Sequence, residues 1–244
     1  HTADEKWFGK DSDVKILTLE HMMAARRLGF DLFFGPLSRV TKYQMTFLQG
    51  TVSELEFFTK EILPIADSIK EDGRVALEVL KAYSPLLSKQ NTEKPYDFYL
   101  RCREEAVKVA TMVNKNQTIR EVVKSICNSQ LLTVPEVIRQ ASSLVAADIA
   151  EEMEEDLQAW VMVMDLPINM VRGYDDYVNQ RTCFDTHQGV KGLEFDRVMV
   201  IVDDSEAKGF MFSYDKLFGV KELTKTDKMH IEAGEEFSVD RTQR

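Results

Sequence analysis

Thr186-His187-Gln188-Gly189-Val190-Lys191-Gly192-Leu193-Glu194-Phe195, followed by Asp196 and the run Arg197-Val198-Met199-Val200-Ile201-Val202, is the stretch on which the reading of this chain turns. The run behind is rich in β-branched residues without a polar break, the pattern of a strand buried on both faces of a parallel sheet. Thr182-Cys183-Phe184 in front of it is short and strand-like. Between the two, Gly189 and Gly192 flank Lys191 where the chain should turn from strand to helix. Glycine lets a backbone approach a ligand closely, and a helix N-terminus offers free N–H donors to an anion. Glu194 follows and could accept from a sugar hydroxyl. The residues leave two readings open: a nucleotide-contacting loop, or a tight turn that needs glycine for steric reasons.

The same alternation of strand and helix opens the chain. Val14-Lys15-Ile16-Leu17-Thr18-Leu19 is apolar enough for a buried strand, and Glu20 to Leu28 has helix-favouring residues. Gly29 offers a helix stop, and Gly35-Pro36 reads as a turn. From about residue 37 to 180 the pattern is helical. Thr51-x-x-Glu54 and Thr118-x-x-Glu121 are capping boxes, and Thr133-x-x-Glu136 adds a third with Pro135 in its first turn. Pro64 should interrupt or kink the run that begins at Leu55. Val75 to Leu80 and Tyr96 to Val113 continue the helical pattern, and a last long helix is expected from Val137 through Trp160. Beyond Val202 the sequence reads as loop, and from Lys221 as polar, charged chain without a closing apolar element. The expected architecture is therefore one α/β domain, residues 1–36 and 181–244, interrupted by an all-helical insertion, residues 37–180.

Composition narrows the function classes. The 244 residues carry 31 Lys+Arg against 41 Asp+Glu, a formal charge of −10, with 44% apolar residues, an ordinary soluble balance. No apolar run approaches the ~20 residues of a membrane helix. The start, His1-Thr2-Ala3-Asp4-Glu5, does not resemble a signal peptide. Three cysteines without a CxxC spacing fit a reducing, cytoplasmic setting, and no Cys/His cluster marks a zinc site. Net acidity argues against nucleic acid at first sight. The insertion, however, carries 16 basic and 22 acidic residues, so −6 of the −10 belongs to it. Much of that surplus is Glu151-Glu152-Met153-Glu154-Glu155-Asp156, which reads as a solvated helix face.

The string from Thr186 to Val198 resembles motif V of the UvrD/Rep-like superfamily 1 DNA helicases, roughly T-x-H-x-x-K-G-L-E-F followed by a strand. The core from Lys191 to Phe195 carries the match. The resemblance implies a second RecA-like, P-loop NTPase-type domain, in which the Gly192 backbone approaches the γ-phosphate of ATP and Glu194 bonds its ribose. Thr186, His187 and Gln188 would face single-stranded DNA. Aligned on Lys191, the family's histidine position holds Gln188, with His187 one residue earlier, so either could reach DNA. Leu17 to Leu28 is similar to motif IV of the same helicases. There the phosphate-contacting arginine aligns with His21, and Arg27 matches a later arginine. His21 would substitute, Arg26 or Arg27 would reach in, or the contact is absent. The helical insertion corresponds in position to subdomain 2B of that family.

What the chain lacks completes this expectation. No G-x-x-x-x-G-K-[ST] occurs, since the one Gly-Lys, Gly9-Lys10, is followed by Asp11. Walker A and B elements would belong to the first RecA-like domain, and Gln243-Arg244 stands where motif VI would begin. The resemblance thus implies a C-terminal helicase region without ATPase activity of its own, with ATP and Mg²⁺ bound in the intact protein. Its partners would be single-stranded and duplex DNA and the missing first RecA-like domain, with no membrane. Two alternatives stay open. One is a free-standing Mg²⁺ phosphohydrolase using Asp203 and Asp204 at a strand end, with Lys191 on phosphate. The other is a helical protein-interaction module.

Overall fold

Three short apolar runs, far apart in sequence, pair in one parallel sheet. In a computed structural model that describes residues 14–69, 73–87, 95–186, 188–206, 213–234 and 239, β1 (Val14–Thr18) lies between β2 (Phe184–Thr186) and β3 (Arg197–Ile201). Thr18 stands opposite Thr186 on one side and Ile201 on the other, so all three strands end together. Parallel neighbours need a long crossover. The helical stretch supplies one between β1 and β2. The architecture is mixed α/β and mostly helical. No helix among the described residues is long and apolar enough to cross a membrane.

Two expectations about the sheet are corrected. The strand before the loop is Phe184–Thr186, not Thr182–Phe184, because Ile16 N–H bonds the Cys183 carbonyl and pairing begins from there. β3 is not buried on both faces. It borders β1 alone among the described residues, and Val198 and Val200, which share a face, are 39% and 54% exposed.

By contact, the chain divides into two compact units: the described residues of His1–Arg27 with Thr182–Arg244, and Leu28–Arg181. The first crossing thus falls before the expected 36–37. Gly35 and Pro36 form no turn, but lie inside α2 (Asp31–Leu37), which belongs to the helical unit together with its buried Phe33, Phe34 and Leu37. In the first unit, α1 (His21–Leu28) follows β1, and Gly29 at φ +76° stands just past its end, as expected.

The helical unit is built around Trp160. Phe58 stacks on it at 5.6 Å, Phe33 meets it edge-on at 6.2 Å, and its indole N–H donates to the Tyr43 hydroxyl at 3.1 Å. The Thr118/Glu121 box forms at the start of α7 (Ile119–Ser129). The other two do not. α3 (Ser53–Glu56) starts after Val52 without a side-chain cap, because Glu54 accepts from Ser53 Oγ at 2.7 Å and from Lys42 at 3.4 Å. α8 (Glu136–Ser143) starts after Pro135, and Glu136 pairs with Arg139 and Gln140 instead.

Pro64 does not break its run. The turn ahead of it, Phe57–Ile62, widens to a π-helix, with Leu63 N–H bonding the Phe58 carbonyl five residues back, and α4 (Leu63–Ser68) continues. The wider turn accommodates a ring that has no N–H to give. Glu61 in this turn has a buried Oε2 without a hydrogen-bond partner, and burial pushes its carboxyl up to about 7.

α5 (Arg74–Tyr83) and α6 (Pro95–Asn114) match the expected runs. The single helix expected over 137–160 is two: α8 ends at Ser143 and α9 (Glu155–Val163) begins afresh. Arg120 of α7 separates them. Its buried guanidinium donates to the carbonyls of Ala141, Ser142 and Leu144 at the end of α8 and grips both oxygens of Asp165 beyond α9. The acidic run is not wholly a solvated face either. Asp156 is buried against Lys42, and Glu155 accepts the Thr41 N–H at 2.9 Å. α10 (Asn169–Val178) closes the unit, its Tyr174 hydroxyl donating to the Phe47 carbonyl at 2.5 Å.

After β3 come α11 (Tyr214–Leu217) and α12 (Lys225–Ala233). The latter corrects the expectation of irregular chain from Lys221. Thr224 and Asp227 form a capping box, and Lys216 joins Asp227 at 2.6 Å, tying the two helices and holding the Asp227 carboxyl down at about 2. Gly9-Lys10 and Gln243-Arg244 lie outside the described residues.

Candidate functional site

Open parallel sheets take ligands beyond the carboxyl ends of their strands, where the chain leaves neighbouring strands in different directions. Here that edge is formed by Thr18, Thr186 and Ile201 in register. From β1 the chain enters α1. From β2 it leaves this edge at Thr186 and returns to the amino end of the sheet, where Arg197 stands opposite Val14, so only the start of the segment lies at the carboxyl edge.

That segment is a string of turns rather than the start of a helix. Val190 N–H bonds the Thr186 carbonyl at 3.3 Å, Lys191 N–H that of Gln188 at 3.3 Å, and Leu193 N–H that of Val190 at 2.9 Å. Gly192 at φ +86° then ends the winding, since a left-handed residue cannot continue an α-turn. The helix N-terminus expected here as an anion site is therefore not formed.

The two glycines have different reasons. A Cβ on Gly189 would lie 2.2 Å from Asp185 Oδ1, and that carboxylate has little room to yield. Oδ1 accepts the Thr186 N–H at 2.8 Å, and Oδ2 pairs with Lys15 at 3.2 Å. For Gly189 the steric reading holds. Among the described residues nothing lies within 4 Å of the corresponding position at Gly192, so no described side chain covers it. Lys15 also sits 5.7 Å from the centre of the Phe195 ring, which links the end of the loop to β1. Sequence reasoning missed Lys15 and Asp185. The available signal was a lone charge inside each of two apolar strands, where only a partner makes burial tolerable.

The residues assigned by resemblance do not share one environment. Gln188, Lys191, Gly192 and Glu194 are exposed, and the side chains of Gln188, Lys191 and Glu194 make no hydrogen bond or ion pair among the described residues. Thr186 is turned inward at 4% exposure, its hydroxyl accepting the Gly189 N–H at 3.2 Å, so it shapes the loop instead of presenting a side chain. Arg27 is engaged by the Met23 carbonyl at 3.1 Å and by Glu206 at 2.5 Å, while Arg26 is exposed. His187 lies outside the described residues.

His21 opens α1 at the same edge. Burial lowers its pKa, the charge of Asp185 opposing this only in part, so the imidazole is neutral at pH 7. Uncharged, it does not bring the positive charge of the arginine it would replace.

Asp203 and Asp204 are both occupied as caps. Asp203 Oδ1 accepts from Ser205 N–H at 2.9 Å, Ser205 Oγ at 2.5 Å and Glu206 N–H at 3.2 Å, which holds its carboxyl below the usual range. Asp204 accepts from Ser213 Oγ and from the Tyr214 and Asp215 N–H groups, at 3.2, 3.1 and 2.8 Å. Among the described residues no three His, Cys, Asp or Glu side chains gather as metal ligands. Carboxylates committed to backbone donors in this way are poor candidates for holding Mg²⁺.

No protein-family model, no curated protein and no solved structure matches the chain.

Proposed function

We propose that this chain is part of the motor of a UvrD/Rep-like superfamily 1 ATP-dependent DNA helicase. It would comprise a partial RecA-like domain, with a 2B-type helical insertion between its two halves. The observation that carries the reading is the parallel pairing of β1 with both β2 and β3 across the whole helical stretch, all three strands ending together. That pairing supports a shared role for the two segments read as motifs IV and V, because both leave the sheet at one carboxyl edge, where open parallel sheets take ligands.

Within it, the Gly192 backbone approaches the γ-phosphate, and Glu194 accepts from the ribose. Lys191, the one basic residue from Gln188 to Asp196, adds positive charge nearby. The fit is partial: neutral His21 and Glu206-bound Arg27 bring little free positive charge to the phosphates. Most of the charge developing in phosphoryl transfer would then be met from the first RecA-like domain, together with Mg²⁺. Gln188 is the described residue best placed for DNA, since Thr186 is turned inward.

ATP hydrolysis by the intact protein, with and without single-stranded DNA, tests this. Hydrolysis should depend on DNA, and Glu194→Ala should raise KM for ATP roughly 3–10-fold, the worth of one hydrogen bond. The isolated chain should hydrolyse no ATP. Hydrolysis by the chain by itself, or unchanged ATP affinity and turnover in Glu194→Ala, would overturn the assignment.

A further inference from the structure

Lys15 is the one charged residue of β1, and it meets groups at both ends of the 186–195 segment. Asp185, directly before that segment, stands opposite Leu17 across the β1–β2 pair. Lys15 shares the face of Leu17, which brings its ammonium to Asp185 Oδ2 at 3.2 Å. Towards β3, Lys15 stands opposite Val198, and its Nζ lies 5.7 Å from the centre of the Phe195 ring, just ahead of that strand. The Lys15 and Asp185 side chains are only 12% and 13% exposed, so water and salt screen these attractions little. Asp185 carries the hold further along the chain. Its Oδ1 accepts the Thr186 N–H at 2.8 Å and lies so close to Gly189 that a Cβ would not fit. The turns beyond are closed by backbone bonds, the last from Leu193 N–H to the Val190 carbonyl at 2.9 Å. A carboxylate thus holds the start of the segment, a ring marks its end, and one ammonium joins the two.

We infer that Lys15 is a positioning residue: by joining Asp185 to Phe195 it staples both ends of the 186–195 segment to β1 and so fixes where Gly192 and Glu194 lie. An ammonium is a compact charge on a flexible stem and can serve a carboxylate and a ring face together. An uncharged side chain of the same length would fill the space and serve neither. The consequence for ATP binding rests on the helicase reading above; the staple itself does not.

Amide hydrogen exchange in the intact protein, read on peptides covering residues 188–195, tests the staple. Phe195→Leu, at a partly exposed position, removes the ring. It should speed exchange there about 3–10-fold, while residues 14–18 change by less than about twofold. Phe195→Tyr keeps a ring face and should exchange like the parent. Lys15→Met combined with Asp185→Asn removes both charges, leaves none buried and unpaired, and should speed exchange in the same peptides by a similar factor. In that background Phe195→Leu should add nothing, because the ammonium is already gone. Parent-like exchange in Phe195→Leu, or its full effect in the neutral background, would overturn the staple. ATP hydrolysis tests the positioning role. Phe195→Leu should raise KM for ATP about 3–10-fold, as Glu194→Ala does, with kcat changed by less than about twofold. The two substitutions together should raise KM no further. An unchanged KM in Phe195→Leu where Glu194→Ala raises it would overturn the positioning role. An unchanged KM in both would instead remove the helicase reading, and exchange alone then decides the staple.

Discussion

Gly189→Ala is the most discriminating change at the carboxyl edge of the sheet. The new methyl group would stand 2.2 Å from Asp185 Oδ1, where ordinary contact begins at 3.4 Å. The carboxylate can clear it only by turning. Turning gives up the 2.8 Å bond from Thr186 N–H, a bond to a charged acceptor worth about 1.5–3 kcal/mol. It also disturbs the Lys15 pair, about 1 kcal/mol. The expected loss is about 2–4 kcal/mol, concentrated in β1 and β2. Gly192→Ala meets no neighbour among the described residues, and its cost is the left-handed φ of +86°, about 1–2 kcal/mol. Asp185→Ala removes the obstacle. In that background Gly189→Ala should cost less than about 0.5 kcal/mol, and the difference between the two backgrounds is the coupling energy.

Amide hydrogen exchange read on peptides covering residues 14–18 and 183–186 is the suitable assay, because it reports the local stability of the strands rather than of the whole chain. The Ile16 N–H, bonded to the Cys183 carbonyl at 2.8 Å, is the key reporter. If Gly189→Ala costs the same with Asp185 present or absent, or less than Gly192→Ala, the steric account of Gly189 is wrong.

Three further outcomes follow from other parts of the molecule. Glu61 has a folded pKa of about 7, raised by burial above the unfolded value, so the helical unit should lose stability as pH rises from about 4.5 through 7. Glu61→Gln should therefore stabilise it at pH 8 by about 1–2 kcal/mol, discounted for half-exposure, and little at pH 4.5; equal urea midpoint shifts by circular dichroism at both values would refute this. Arg120→Lys keeps the charge but cannot reproduce the fork to Asp165 or reach all three carbonyls, and should cost about 2–4 kcal/mol in urea unfolding; a loss under 0.5 kcal/mol would show that the clamp contributes little. His21 should titrate below 6.5 by NMR. Its depressed pKa means that stability is full above the unfolded value and declines as pH falls below it, so an apparent pKa at or above 6.5 would contradict its burial.

Legibility followed the range of the interaction involved. The strand at Val14–Thr18, the helix after it, and the Thr118/Glu121 box were readable because each depends on neighbours within a few residues. The failed boxes at Thr51 and Thr133 show the limit. Their glutamates found other partners, Glu54 with Lys42 and Ser53, and Glu136 with Arg139 and Gln140. Pairwise spacing does not say which of several local bonds wins. The division of 137–160 into two helices likewise depends on Arg120, whose hydrogen bonds reach 21 to 45 residues along the chain. At the candidate site, glycine signalled a backbone constraint at 189 and 192, but not its kind.

By itself, then, the sequence determined the presence of the strands and of most helices, because β-branched and amphipathic patterns depend on near neighbours, but neither the break within 137–160 nor the helix Lys225–Ala233. It also determined that the informative segment is a glycine-bearing turn between two strands. Tertiary structure decided what those residues are available to do. Pairing β2 against β1 brings Asp185 beside Lys15 and turns Thr186 inward, and that makes Gly189 a steric necessity while Gly192 and Glu194 stay open. It also decided that Arg27 is engaged and that His21 is uncharged, since ion pairing and desolvation depend on groups that only folding brings together.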